Sequence, residues 1–302
     1  MSSNTLKTKS SNTIDSNSFF ESLLLLLKPR VMSLVIFTCA VGYVTSNSTI
    51  DTVNAIAGII MVALGAGAAG CLNMWYDADI DAIMSRTCLR PIPTGKITKN
   101  QALFFGVTTA IFSIILLYLF SNFLSALMLT ITILFYVVIY TIFLKQRTPQ
   151  NIVIGGAAGA FPPIIGWTIA TNTITMEPLF LFLIIFFWTP SHFWALSLYK
   201  IEDYNNAKIP MLPIVSGVQF TKLNILIYGI LLVIISIIPY LLGYFGLTYL
   251  VTSILLGSYY IYLCYELLVN IKKEKVISKK IFIYSILYLF LIFSIMPIDK
   301  II

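Results

Sequence analysis

Charge is scarce in this chain. Asp, Glu, Lys and Arg together supply 10% of its 302 residues, where a soluble domain carries roughly 25%. That shortage excludes an ordinary soluble fold. Histidine is nearly absent, with His192 the sole example. The four cysteines, Cys39, Cys71, Cys88 and Cys264, form no CxxC pair and no CxxCH motif. A His/Cys zinc centre and covalently attached haem are therefore excluded. The cysteines read as small apolar side chains within helices. The N-terminal stretch has no arginine before Arg30, and its apolar run Leu23–Leu27 is short with no small-residue cleavage site after it. Neither a cleavable leader nor a transit peptide is expected. Residues 1–20, rich in Ser, Asn and Thr, read as a disordered cytoplasmic tail. Residues 21–302 read as a single transmembrane domain.

What is abundant is hydrophobicity, at 59% of the residues. A bilayer core needs about 20 apolar residues per helix. Nine runs meet or approach that length, at approximately 31–46, 52–72, 102–120, 122–143, 151–170, 178–198, 221–242, 246–268 and 281–297. The first is short and is expected to begin near Leu23 with a bend at Pro29. The fold expected is an all-α polytopic membrane protein.

The net charge of +7 could suggest nucleic acid, but its placement argues otherwise. If the nine runs alternate across a membrane, all but one of the 19 Lys and Arg residues fall on one side, Lys300 being the exception. The positive-inside rule makes that side cytoplasmic. The N-terminus is then cytoplasmic and the C-terminus periplasmic, in a bacterial inner membrane. The basic excess faces anionic lipid, and no nucleic-acid partner is expected.

Two long loops, about 73–101 and 199–220, lie on the cytoplasmic face and hold the clustered carboxylates. In the first, Asn73, Asp77 and Asp81 are spaced i, i+4, i+8, which on a helix makes one stripe. Carboxylates at a membrane helix end are costly, and two held together repel. A Mg²⁺ ion removes both difficulties, taking one or two carboxylates and completing its shell with water and phosphate oxygens. Arg86 and Arg90 follow four residues apart, suited to phosphate. Asp79 lies off the stripe. In the second loop, Glu202 and Asp203 could complete a metal site from a second half, with Lys200 and Lys208 against phosphate. His192 lies in an apolar aromatic segment, where a hydrogen-bonded core histidine and a functional one are both open readings.

At these loops the sequence resembles the UbiA superfamily of intramembrane prenyltransferases, and within it the family that farnesylates haem. The resemblance covers about residues 22–298. It rests on Lys28-Pro29-Arg30, on Asn73-x-x-x-Asp77-x-x-x-Asp81, on Arg86-Thr87-x-x-Arg90-Pro91, and on the block from Arg147-Thr148-Pro149-Gln150-Asn151 to Phe161-Pro162-Pro163. It continues in His192-Phe193-Trp194-Ala195-Leu196 and in Asp203-Tyr204-x-x-Ala207-x-Ile209-Pro210-Met211-Leu212-Pro213. A full second aspartate-rich motif, present in many superfamily members, is thinned here to Glu202-Asp203.

The resemblance implies nine helices around a central cavity and Mg²⁺-dependent transfer of a farnesyl group from farnesyl diphosphate to a vinyl group of haem B, giving haem O. Haem is then a substrate, not a cofactor. Asn73, Asp77 and Asp81, with Glu202 and Asp203, become the expected metal ligands. Arg86, Arg90, Lys200, Asp203, His192, Tyr140 and Tyr199 become the expected substrate contacts. Tyr76, Tyr136 and Trp194 join Tyr140 and Tyr199 as aromatic faces that could steady an allylic cation. A haem A synthase or terminal oxidase assembly factors are candidate partners. A prenyltransferase for a quinone-precursor ring is the competing enzyme reading, set back by the Arg147–Pro163 block together with His192-Phe193-Trp194. A transporter is the competing reading of another class, and it expects charges near the bilayer midplane rather than at one face.

Overall fold

The computed structural model describes residues 16–46, 52–270 and 272–301. Every regular element among them is helical. Eight helices are long and apolar enough to cross a membrane, and a ninth span is made if a bent pair counts as one. That pair is α1 (Ser16–Leu26) and α2 (Pro29–Thr45), which meet at 46°. Proline opens α2 because its fixed φ suits the first helical turn and its missing N–H is not needed there. Lys28, at the hinge, takes a left-handed φ of 52°. Helix α1 occupies residues 16–20 of the stretch read from sequence as tail. Phe19, Leu23 and Leu26 explain the difference, because they pack against Cys71, Met74 and Ala78. The rest of that tail, and Asp51, lie outside the described residues.

Helix α3 (Thr52–Tyr76) leads through Asp77 into the short α4 (Ala78–Ile83). A capping box between Thr98 and Gln101 starts α5 (Lys99–Phe120). Asn122 caps α6 (Phe123–Leu134), which continues as a ten-residue π-helix, Phe135–Leu144. The fifth span is broken into α7 (Asn151–Ala160) and α8 (Pro162–Thr171), because Pro162 and Pro163 cannot continue the hydrogen-bond ladder of α7. Then come α9 (Met176–Tyr199), the short α10 (Ile201–Asn206) and α11 (Leu212–Val215), and the long α12 (Val218–Leu241), α13 (Leu247–Val269) and α14 (Glu274–Asp299).

The helices close into a ring. Helix α2 packs on α3 and α8, α3 on α5, α7 on α9, α9 on α12 and α14, and α14 returns to α2. Small residues set the closest crossing. A Cβ built on Gly42 would lie 2.1 Å from the Pro163 carbonyl oxygen, and one on Gly166 would lie 1.8 Å from that of Cys39. Small residues are how membrane helices bring backbones together without a hydrophobic driving force between them. The main apolar core gathers α9, α12, α13 and α14 around Trp188, Tyr260 and Tyr288.

Candidate active site

Asn73, Asp77 and Asp81 sit where α3 turns into α4. Asp77 has φ −85° and ψ 7°, a slight break, yet the i to i−4 bonds persist through it. The Asp77 N–H donates to the Asn73 carbonyl at 2.9 Å, and the Asp81 N–H to that of Asp77 at 2.8 Å. The three side chains therefore keep one face, as their spacing predicts. All three are buried: Asp77 is 0% exposed, Asp81 2% and Asn73 5%.

Buried carboxylates require partners, and two cations and an amide supply them, with a third cation on the amide. The Lys145 ammonium donates to Asp77 Oδ2. Arg90 NH1 donates to Asp81 Oδ2 at 2.6 Å. Lys28 Nζ donates to Asn73 Oδ1 at 2.9 Å, and Asn73 Nδ2 donates to Asp77 Oδ2 at 2.7 Å and to Thr141 Oγ1 at 3.2 Å. One oxygen is left over. Asp77 Oδ1 is sealed from solvent and accepts no hydrogen bond among the described residues. An orphaned carboxylate oxygen inside a polar cluster is the position a hard cation would take. The donor set suits Mg²⁺, which needs only one or two protein carboxylates and draws its other ligands from water and phosphate.

The π-helix positions two of these groups. Its widened turn lets Thr141 Oγ1 reach the Tyr136 carbonyl at 2.9 Å and the Lys145 N–H reach that of Tyr140 at 2.9 Å. Tyr136, Tyr140, Thr141 and Lys145 thereby turn toward the carboxylates. π-helical segments are rare and frequently mark functional sites. Tyr136 and Tyr140 stack with ring centroids 5.4 Å apart. A Cβ on Gly155 would fall 2.2 Å from Tyr140 Cδ2, so only glycine lets that ring lie where it does.

The second loop meets the first. Ser85 Oγ donates to Asp203 Oδ2 at 2.7 Å, and Met84 and Ile80 pack with Tyr204, Ile209, Met211 and Phe193. Glu202 is exposed. Among the described residues no three His, Cys, Asp or Glu side chains gather as a metal cluster, so Glu202 and Asp203 are not brought beside Asp77 and Asp81. Arg86 is exposed, Lys200 is half-buried, and neither forms a salt bridge among the described residues. Lys200 lies 5.3 Å from the ring of Tyr199, which Lys279 also approaches at 5.8 Å. Trp194 is buried in the core with Tyr228 edge-on to it. Tyr76 is exposed and packs on Trp75. Asp79, off the stripe, pairs with Lys99 at the surface. His192 lies between Trp188 and Phe282.

Sequence reading missed Lys28, Thr141 and Lys145 at this site. Lys28 and Lys145 entered it only as topological charge or as part of a motif. Each lies far along the chain from Asp77, and the π-helical turn that redirects Lys145 has no composition signature.

The family model of the UbiA prenyltransferase family matches residues 34–286. The chain is 59% identical to the protoheme IX farnesyltransferase of Pelagibacter ubique over 299 residues, covering 98% of each. Its fold is similar to that of a digeranylgeranylglyceryl phosphate synthase, with a TM-score of 0.76, 23% identity, and 93% of this chain and 99% of that one covered. It is also similar to a UbiA homolog from Archaeoglobus fulgidus bound to DMAPP and Mg²⁺, with a TM-score of 0.69, 18% identity, and 91% and 99% covered. A helical ring with a buried Asn–Asp–Asp stripe at one end, and full-length identity of this degree, agree: the chain belongs to the UbiA prenyltransferase family and, within it, to the protohaem IX farnesyltransferases.

Proposed function

We propose that the protein transfers the farnesyl group of farnesyl diphosphate to a vinyl group of haem B, giving haem O and diphosphate, and that the reaction depends on Mg²⁺. The observation that carries this reading is the buried Asp77–Asp81 pair, with its orphaned oxygen, inside a shell of cations. Asn73, Asp77 and Asp81 would hold the metal. When bound, Mg²⁺ supplies Lewis-acid stabilisation of the leaving diphosphate.

The chain's own residues do the rest. Two carboxylates and the Asn73 amide meet three cations, Lys28, Arg90 and Lys145, and Arg86 and Lys200 form no salt bridge among the described residues. That surplus of positive charge suits a diphosphate, whose oxygens take charge-assisted hydrogen bonds. Preorganised cations stabilise the charge that develops on the leaving group more strongly in a site that excludes water. Tyr136 and Tyr140, stacked beside the carboxylates, offer aromatic faces to the allylic carbon as it becomes cationic. Asp203, through Ser85, holds the second loop over the first. The relatives' names and the sequence blocks around Arg147–Pro163 and His192–Leu196 support haem as the acceptor.

The site end carries nearly all the Lys and Arg residues, which supports a cytoplasmic site in a bacterial inner membrane, the N-terminus cytoplasmic and the C-terminus periplasmic. A haem A synthase or terminal oxidase assembly factors are the partners this product would serve. The test is incubation of the purified protein with haem B, farnesyl diphosphate and Mg²⁺, with the haem product identified by mass. Haem O should form, and EDTA should stop it. Diphosphate release with a quinone-precursor ring in place of haem, and none with haem, would overturn the reading.

A further inference from the structure

His192, the sole histidine, belongs to none of the groups around Asp77. It lies on α9 seven residues before Tyr199, so roughly 10 Å below the helix end at the site, at 1.5 Å per residue. The imidazole is stacked on both faces, by Trp188 at 4.2 Å and 19° and by Phe282 at 4.6 Å and 27°. Its plane is thus fixed. Its Nδ1 lies 2.6 Å from Ser285 Oγ.

The direction of that bond follows from its neighbours. Ser285 Oγ donates its one proton to the Phe282 carbonyl at 2.7 Å. With the hydroxyl proton on that carbonyl, Oγ accepts from Nδ1, which assigns the proton to Nδ1 and the lone pair to Nε2. Trp188 Nε1 donates to the Ser285 carbonyl at 2.7 Å, which holds the serine in turn. Among the described residues Nε2 has no hydrogen bond. It is not among the sealed, unpartnered buried atoms of the described residues, and His192 keeps 6% of its surface accessible. Its lone pair therefore opens onto reachable space.

A neutral imidazole with Nδ1–H tied to an oxygen acceptor and Nε2 unpartnered is how proteins present histidine to a metal. A lone pair held among apolar aromatic rings, with the other ring nitrogen tied to an oxygen, suits a Lewis acid. We infer that His192 Nε2 is an axial ligand to the iron of the haem acceptor, with Ser285 and Trp188 as positioning residues that fix its tautomer and plane. This rests on the haem-acceptor reading above. The dative bond involves no electron transfer and no proton change. Its role is to pin the porphyrin by its iron, so that a vinyl group is presented at a set depth below the diphosphate site.

The experiment binds ferric haem B and metal-free protoporphyrin IX to the detergent-purified protein, without farnesyl diphosphate. Wild type should bind both, and its haem should show the Soret band of nitrogen-ligated iron. His192→Ala should shift that band and weaken haem binding by about tenfold or more, while leaving metal-free protoporphyrin binding unchanged; added imidazole should restore the band. Ser285→Ala, which keeps the ring, should weaken haem binding by about tenfold, the effect typical of losing an outer-shell partner. Equal loss of both porphyrins in the variants would mean that His192 only packs, and an unchanged haem spectrum in His192→Ala would also overturn the ligand assignment while leaving the acceptor reading intact. Uptake of neither porphyrin by wild type would instead remove the haem reading, and the ligand with it.

Discussion

The two ends of the helical ring both hold buried Lys–carboxylate pairs, and they are built to opposite effect. At one end are Lys28, Arg90 and Lys145 against Asp77 and Asp81. At the other, Lys300 Nζ donates to Glu177 Oε1 at 2.5 Å and to the Thr45 carbonyl at 2.5 Å, and lies over the rings of Phe245 at 5.4 Å and Trp167 at 5.9 Å. Beside it Asp299 accepts from the backbone N–H of Gly246 and, at 3.0 Å, from that of Tyr249, capping α13. Glu177 and Tyr199 bound α9 and lie roughly 33 Å apart along it. At the Lys300 end each charge has a protein partner. At the Asp77 end, among the described residues, a carboxylate oxygen has none and Lys28 meets an amide rather than a carboxylate. A satisfied cluster is a fastening. An unsatisfied one, at a membrane face, is a place where a ligand completes the electrostatics.

The sharpest way to break this contrast is at Asp77. Asp77→Asn keeps the shape and the amide can still meet Lys145, so the protein should remain in the membrane at ordinary yield. Farnesyl transfer should fall by at least about 10²–10³-fold, the scale of losing a central electrostatic group, measured as haem O formed by purified protein. Near-normal product would show that the cluster is a fastening like the other. Lys145→Met should come next. It removes one charged hydrogen bond, worth about 1.5–3 kcal/mol, so KM for farnesyl diphosphate should rise about 10- to 100-fold. KM for haem should not move.

How much of this was legible in the sequence depends on distance along the chain. The apolar runs gave the spans, because a bilayer demands about 20 such residues whatever the tertiary fold. Even the bend at Pro29 could be read. The Asn73–Asp77–Asp81 stripe was legible because helical spacing is local, and it survives the slight break at Asp77. What closes on the stripe was not legible. Lys28 lies 45 residues from Asn73 and Lys145 lies 68 from Asp77, and no local rule places them there. The π-helix was hidden as well, since Phe135–Leu144 reads as ordinary apolar helix. Nor does local sequence say why glycine stands at 155, where a Cβ would fall 2.2 Å from the Tyr140 ring. Gly155→Ala should therefore push Tyr140 aside, destabilise by about 1–3 kcal/mol as overpacking does, and lower kcat by about tenfold. Thermal unfolding and turnover would be read on the same preparation. Tyr140→Leu on the Gly155→Ala background should then add little, because the ring is already displaced.

The last test works on the other end. Glu177→Gln leaves Lys300 with the Thr45 carbonyl and two aromatic faces but no counter-charge. Both side chains are largely buried, Lys300 at 15% exposed and Glu177 at 13%, so the pair is screened less than a surface pair, and losing one member should lower stability by about 1–3 kcal/mol. The unfolding midpoint should drop and the helix ends around Thr45, Glu177 and Asp299 should become easier to cleave. Turnover below the new midpoint should stay within about twofold of wild type, because the effect on a site roughly 33 Å away must pass through helices that keep their own packing. A loss of turnover without a loss of stability would mean that the far end is coupled to the reaction, and that the contrast between a fastening and a site is drawn in the wrong place.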